Sequence, residues 1–203
     1  MSILENETFQ WLNPGTLVPE ENGFAIIAPP HSDFFQDPTG GNGTRSNAPF
    51  YYTELSGDFT LRATVWHDFT AAGDACTLMA MDTPTLWAKA CFEQTYFGAH
   101  TAVSVVTNGL SDDANGQNIT TQTAITLQYA RKGNTFAMHY SLDEKAFYMM
   151  RLFSLPMSQT IKVGFVAQSP SGNGGKMHFK DVFLAHCAPE LSLIHISEPT
   201  RRS

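Results

Sequence analysis

The sequence predicts an all-β protein, an antiparallel two-sheet β-sandwich of the jelly-roll type. Three observations carry this. Nine segments of strand length, each apolar or alternating at period two, run from residue 58 to residue 185. Between them lie clusters rich in Gly, Pro, Asn, Asp and Ser, the residues that turns require. No stretch of about 12 residues shows the 3.6 periodicity of an amphipathic helix. Many short strands punctuated by turns and no helix indicate a sandwich or barrel.

In chain order the elements justify themselves as follows. The first 50 residues hold six of the 11 prolines and read as short edge strands, "FAIIAP" and "YYTEL", joined by a long loop over residues 29–49. A loop of that length is either functional or a packed arm sealing one end of the sandwich. Trp11 anchors this N-terminal arm. "DFTLRATVWHDF" alternates Phe59, Leu61, Ala63 and Val65 against Thr60, Arg62, Thr64 and Trp66, with Trp66 either a binding ring or packed under the arm. "ACTLMAMD", "LWAKACFEQ", "TAVSVVTN", "AITLQYAR", "NTFAMHYS", "AFYMMRLF", "IKVGFVAQS" and "KMHFKDVFLA" follow as strands. "TAAGD", "DTPT", "SDDANGQN", "RKGN", "SLDEK" and "SPSGNGG" read as the turns between them. "RKGN" and "SLDEK" are short enough for hairpins, and "SGNGG", lying between strands, reads as a hairpin loop and not as a phosphate cradle.

At 203 residues with 42% hydrophobic content, the chain suits one domain, placed at residues 1–189. The last segment, 190–203, continues no alternation, and "LSLIHISEPTR" resembles translated sequencing-adapter read-through; we read it as non-native. A formal charge of -7, from 19 acidic against 12 basic residues, disfavours nucleic acid and anionic membrane as partners, because both reward clustered cations. No secretory n-region and h-region open the chain, and no apolar run reaches the ~18 residues of a membrane helix. Cys76, Cys91 and Cys187 are odd in number with no CxxC pair, which reads as buried free thiols of a cytoplasmic protein.

One strand carries the candidate chemistry. At period two, "LWAKACFEQ" puts Trp87, Lys89, Cys91 and Glu93 on one face and Ala88, Ala90, Phe92 and Gln94 on the other. Residues two apart on one face are about 6.7 Å from one another, so Lys89 and Glu93 need partners from neighbouring strands. Arg131, His139 and Arg151 are the candidates. An aromatic ring beside charged groups fits a polyhydroxylated ligand, the ring stacking on C–H faces while charges bond hydroxyls. The same row also fits a solvated outer face laced with ion pairs. A glycosidase needs two carboxyl groups about 5–10 Å apart, and no acid stands at 89, 91 or 95 to accompany Glu93. A second one would come from Asp82, Glu54 or Asp112. No HxH or HExxH supports a catalytic metal, and Asp33, Asp37, Asp112, Asp113 and Asn115 read as turn formers before calcium ligands. No cofactor is expected.

Several segments in order, "SDFFQD", "YYTELSGDFTLRATV", "LWAKACFE", "SVVTNGLSD", "YSLDEKAF", "MMRLFSLP", "IKVGFVAQSPSGNGG" and "MHFKDV", resemble the DUF1349 family over roughly residues 9–184. These are concanavalin A-like β-sandwich proteins of the lectin/glucanase type, sometimes labelled regulation-of-enolase proteins. Two departures stand out: Thr77 where members usually carry Gly, and Asp113 where they carry an aromatic. The resemblance implies a concave sheet face, and the recurrence of the Trp, Lys and Glu of this strand in the family favours a binding row. It points to a lectin-like domain for carbohydrate or another polyol, with Trp87, Lys89, Glu93, Arg131 and Arg151 as ligand-binding residues. A glycoside hydrolase or lyase using Glu93, or a cytosolic protein-interaction module, is the alternative.

Overall fold

The structure is a computed structural model and describes residues 7–187. The segment 190–203 lies outside the described residues. In chain order the strands are β1 (Gln10–Leu12), β2 (Leu17–Glu20), β3 (Gly23–Ala28), β4 (Phe34–Phe35), β5 (Arg45–Ser46), β6 (Phe50–Ser56), β7 (Phe59–His67) and β8 (Ala75–Thr83). They continue with β9 (Leu86–Gln94), β10 (His100–Asn108), β11 (Leu110–Asn118), β12 (Ile125–Lys132), β13 (Thr135–Ser141), β14 (Phe147–Ser154), β15 (Thr160–Gln168) and β16 (Gly175–Ala185). No helix occurs among the described residues, and none is long and apolar enough to cross a membrane.

Two seven-stranded antiparallel sheets make the sandwich. The first has the order β1-β6-β15-β8-β9-β10-β11, and the second β14-β13-β12-β7-β16-β3-β2. Alternation sets which side chains meet between them. From β7 come Phe59, Leu61, Ala63 and Val65, which pack against Leu78, Ala80, Ala88, Ala90 and Phe92 of β8 and β9. Fully burying a Leu or Phe contributes about 1.5–3 kcal/mol, so this shared layer dominates the stability of the fold.

The first sheet is apolar on its other face as well. There Phe50, Tyr52, Met79, Met81, Trp87, Cys91, Val103, Val105 and Val166 form a second buried cluster. Phe34 and Ala48, from the segment 29–49, complete it. That segment carries the small β4–β5 ladder and lies over the outer face of the sheet as a strap. This explains why β8 and β9 are buried along nearly their whole length, where an antiparallel strand ordinarily shows one wet face.

Most predicted strands are present, with four differences. "SDDANGQN" is not a turn but most of β11, an edge strand exposed over all but one residue, so no apolar alternation marks it. "YYTEL" and "FAIIAP" are not edges, because β1 and β2 pair outside them. "SGNGG" is not a hairpin, since β15 and β16 belong to different sheets and the loop crosses between them. Cys76 and Cys91 are buried free thiols, whereas Cys187 is free and exposed. Trp11 does anchor the arm, its ring packed at a tilt on Tyr51 with centroids 4.7 Å apart.

Candidate functional site on the outer face of the first sheet

Register fixes the neighbours of the β9 row. Trp87 stands between Met81 and Thr107, Lys89 between Met79 and Val105, and Glu93 between Ala75 and Thr101. Directly opposed residues of antiparallel strands share a face, so all of these project away from the sandwich interior. The strap then divides the row. Trp87 is fully buried, set edge-on to Phe34 at 6.2 Å, and its indole N–H donates to the Pro84 carbonyl at 3.1 Å. Its ring is therefore not offered to a ligand, which corrects the expectation of an open stacking face.

Lys89 is buried too. Its ammonium donates to Asp33 Oδ1 at 2.9 Å, the Phe34 carbonyl at 2.7 Å and Gln168 Oε1 at 2.8 Å. An ammonium has three donors, so none is left over. Burial opposes its charge, but the Asp33 carboxylate outweighs that together with lesser neighbours, and the Lys89 pKa is raised. Lys89 thus pins the strap to the sheet and is not free for a ligand.

Glu93, at the opposite end of the row from Trp87, differs. It is half-buried, and its carboxyl makes no hydrogen bond or ion pair among the described residues. Burial first, then Asp113, Asp33 and Asp74 against the opposing pull of Lys89, pushes its carboxyl up to about 8. Asp113, on the exposed edge strand β11, is also raised, by desolvation first, with Lys89 and Arg151 pulling it down and Asp33 pushing it up. Solvent at that edge screens Asp113 more than Glu93. Asp74 is buried and satisfied, accepting from Ser169 Oγ at 2.6 Å, Thr70 Oγ1 at 2.7 Å and the Ala71 N–H at 3.0 Å.

Directly after Glu93 and Gln94, the turn to β10 presents Tyr96 and Phe97, 88% and 99% exposed. Gly98, at φ +73°, makes that turn, in a conformation other residues rarely adopt. Strand periodicity does not single out these two rings, because they lie in a turn between strands. The available signal was "TYFGA", two adjacent aromatics in a turn where polar residues are the norm.

The two arginines separate. Arg131 belongs to the second sheet, where its guanidinium donates to the carbonyls of Gly133 (2.7 Å), Ser158 (2.8 Å), Gln159 (3.3 Å) and Met157 (3.4 Å). It clamps a loop and does not neighbour the β9 row. Arg151, on β14, pairs with Asp112 Oδ2 at 2.8 Å and ties the edges of the two sheets together beside Asp113. His139 is buried on β13, also in the second sheet. Of the suggested second acids, Asp82 accepts from the Ser158 N–H at 2.8 Å, Asp112 is held by Arg151, and Glu54 lies opposite Lys162. The carboxyl that acts most strongly on Glu93 is instead Asp113. Asp37 forms an Asx-type turn, its carboxylate accepting from the Thr39 N–H at 2.8 Å and the Gly43 N–H at 3.1 Å.

Residues 11–187 match the family described as "Protein of unknown function (DUF1349)". The chain belongs to the DUF1349 family. A functionally unknown protein from Saccharomyces cerevisiae is similar to this DUF1349 chain at 26% identity and a TM-score of 0.80, over 89% of this chain and 96% of that one. The K247S mutant of the GH43 protein BlXynB from Bacillus licheniformis shares the fold at 14% identity and a TM-score of 0.66, with 93% of the DUF1349 chain covering 39% of that protein. The carbohydrate binding module CBM66 from Bacillus subtilis shares it at 12% identity and a TM-score of 0.56, over 88% and 96% of the two chains. No curated protein matches the chain.

Proposed function

We propose that this DUF1349 domain is a non-catalytic, lectin-like domain that binds carbohydrate or another polyol at the Glu93 end of the outer face of the first sheet. The observation that carries this reading is Glu93, a half-buried carboxyl without a hydrogen-bond partner, followed in the next turn of the chain by two solvent-exposed rings, Tyr96 and Phe97. Sugar recognition uses that combination: flat apolar plates for C–H faces and a few polar groups for hydroxyls. In this reading Glu93 and Asp113 engage hydroxyls, Arg151 holds the rim, and Trp87 and Lys89 position the strap beneath. Arg131 supports the fold from elsewhere. The shared fold with a carbohydrate binding module supports the reading. The free thiols, Cys187 included, support a reducing compartment and hence the cytoplasm.

A second reading has one observation in its favour. A carboxyl held protonated near neutral pH is what a glycosidase acid requires, and Asp113 would be its partner. A glycan array followed by calorimetry on hits separates the two. Binding without product formation, lost at least about tenfold in Tyr96→Ala and in Glu93→Ala, supports the lectin-like site. Turnover abolished by Glu93→Gln supports the hydrolase. Binding untouched by either alanine substitution removes this site from consideration.

A further inference from the structure

We infer that the glycan of this domain is an uncharged oligosaccharide, not a single terminal sugar, and that its far end enters a cleft between the edge strands β11 and β14. The inference rests on the carbohydrate reading above and concerns the length and charge of the ligand. The cleft has a volume of about 220 Å³ and is lined chiefly by Gly116 and Gln117 of β11, Tyr140 of β13, and Tyr148, Met149 and Met150 of β14. Both edge strands are bulged where they border it. Gly116 and Gln117 together oppose Ala102 of β10, and Met150 is the extra residue of β14 between Met149 and Arg151. A bulge bends its strand and re-aims a side chain. Glycine suits the first of these bulges, because a Cβ on Gly116 would stand 2.5 Å from the Ala102 carbonyl oxygen. Gln117 reaches across to the second sheet, where its Oε1 accepts from the Tyr140 hydroxyl at 3.4 Å.

A polar path joins this cleft to the turn of Tyr96 and Phe97. That turn is closed by the Thr95 N–H on the Ala99 carbonyl and leads into β10. There the His100 N–H donates to Thr120 Oγ1 at 3.2 Å, and the Thr120 N–H donates to Asn118 Oδ1 at 3.0 Å. Asn118 adjoins Gln117, and Thr101 stands in register between Asn118 and Glu93 across β9, β10 and β11. The amide nitrogens of Gln117 and Asn118 meet no acceptor among the described residues, so both remain donors for sugar hydroxyls. At the far end Tyr148 stacks on Tyr140 at 5.4 Å and is 46% exposed, a second plate for a sugar face. Two strand spacings separate β9 from β11, about 10 Å, and crossing to the second sheet adds about 10 Å more. A single sugar ring does not span that distance. No charged side chain lines the cleft, and Arg151 beside it is engaged by Asp112, so a charged sugar there would stay unpaired.

The test probes an array of homo-oligomers of glucose, xylose, mannose and galactose, from monomer to hexamer, with the folded chain, and follows the best-bound series by calorimetry. The expected result is a hexamer bound at least about tenfold tighter than the dimer of the same series. Tyr148→Ala removes that gain and leaves the dimer bound as by the wild type, and Gln117→Ala, on the exposed edge strand, lowers the gain in part. Tyr96→Ala weakens dimer and hexamer alike; circular dichroism verifies the fold of each variant. Affinity that does not rise from dimer to hexamer, or a rise that survives both Tyr148→Ala and Gln117→Ala, overturns the inference while the carbohydrate reading stands. Binding confined to charged glycans overturns it as well. If wild-type protein binds no member of any series and no other array glycan, both fail.

Discussion

Glu93 couples the site to the stability of the fold. An unperturbed Glu titrates near ~4.3, whereas this one is raised to about 8. Below pH ~4 the side chain is protonated in both folded and unfolded chains and contributes nothing. As pH rises from there to about 8, the unfolded chain ionises while the folded chain keeps its proton, so stability falls across that window and levels above it. Glu93→Gln is expected to raise the melting temperature at pH 8, by a stabilisation on the order of 2–4 kcal/mol, and to leave it unchanged at pH 4. Melts of both proteins at the two pH values check this. Lys89→Met acts in the opposite direction: it strands the strap's Asp33 carboxylate against the sheet and costs roughly 3–5 kcal/mol, read from urea unfolding. At this scale the sequence told which face each residue of β9 uses, because period two fixes it. It could not tell that Lys89 and Trp87 are covered, since the covering partner Asp33 is 56 residues away and Gln168 is 79 away.

Among the elements, legibility followed the apolar pattern. Strands with one face on the shared core, such as β7, declare themselves by alternation; β11 does not, because an edge strand exposed on both sides has no burial to record. Polar edges of this kind also discourage pairing with other chains. The loop at 155–159 was equally silent about Arg131, whose donors reach across 26 to 28 residues to its carbonyls. Arg131→Ala is expected to cost roughly 3 kcal/mol by releasing those carbonyls, since hydrogen bonds to charged groups contribute about 1.5–3 kcal/mol each and water replaces some of them. Ligand affinity is expected to stay the same. Parallel measurement of chemical denaturation and calorimetric affinity checks both halves, and a lost affinity in the folded variant would place Arg131 back at the site.

For the molecule as a whole, one sheet serves two apolar layers, the sandwich core on one side and the strap's cluster on the other. The all-β class was legible because strand-length segments and turns repeat along the chain. The second layer was not, because a strap rich in Pro and Gly looks the same whether it is loose or packed. This arrangement has a consequence for the order of assembly. The strap is fastened largely to parts of the first sheet that must already be in place: Asp33 to β9, Gln36 to Ser111 of β11, and Ser32 to Ser169 just after β15. Such long loops close late, after nearer contacts have lowered the entropy of doing so. Phe34, the strap's buried anchor, should consequently have a φ-value near zero. Phe34→Ala is expected to speed unfolding by the full loss in stability while leaving the folding rate within about twofold, measured by stopped-flow chevrons. A slowed folding arm would mean that the strap joins the nucleus. Otherwise the last segment to settle on the pathway is the one that decides how much of the sheet's outer face a ligand ever meets.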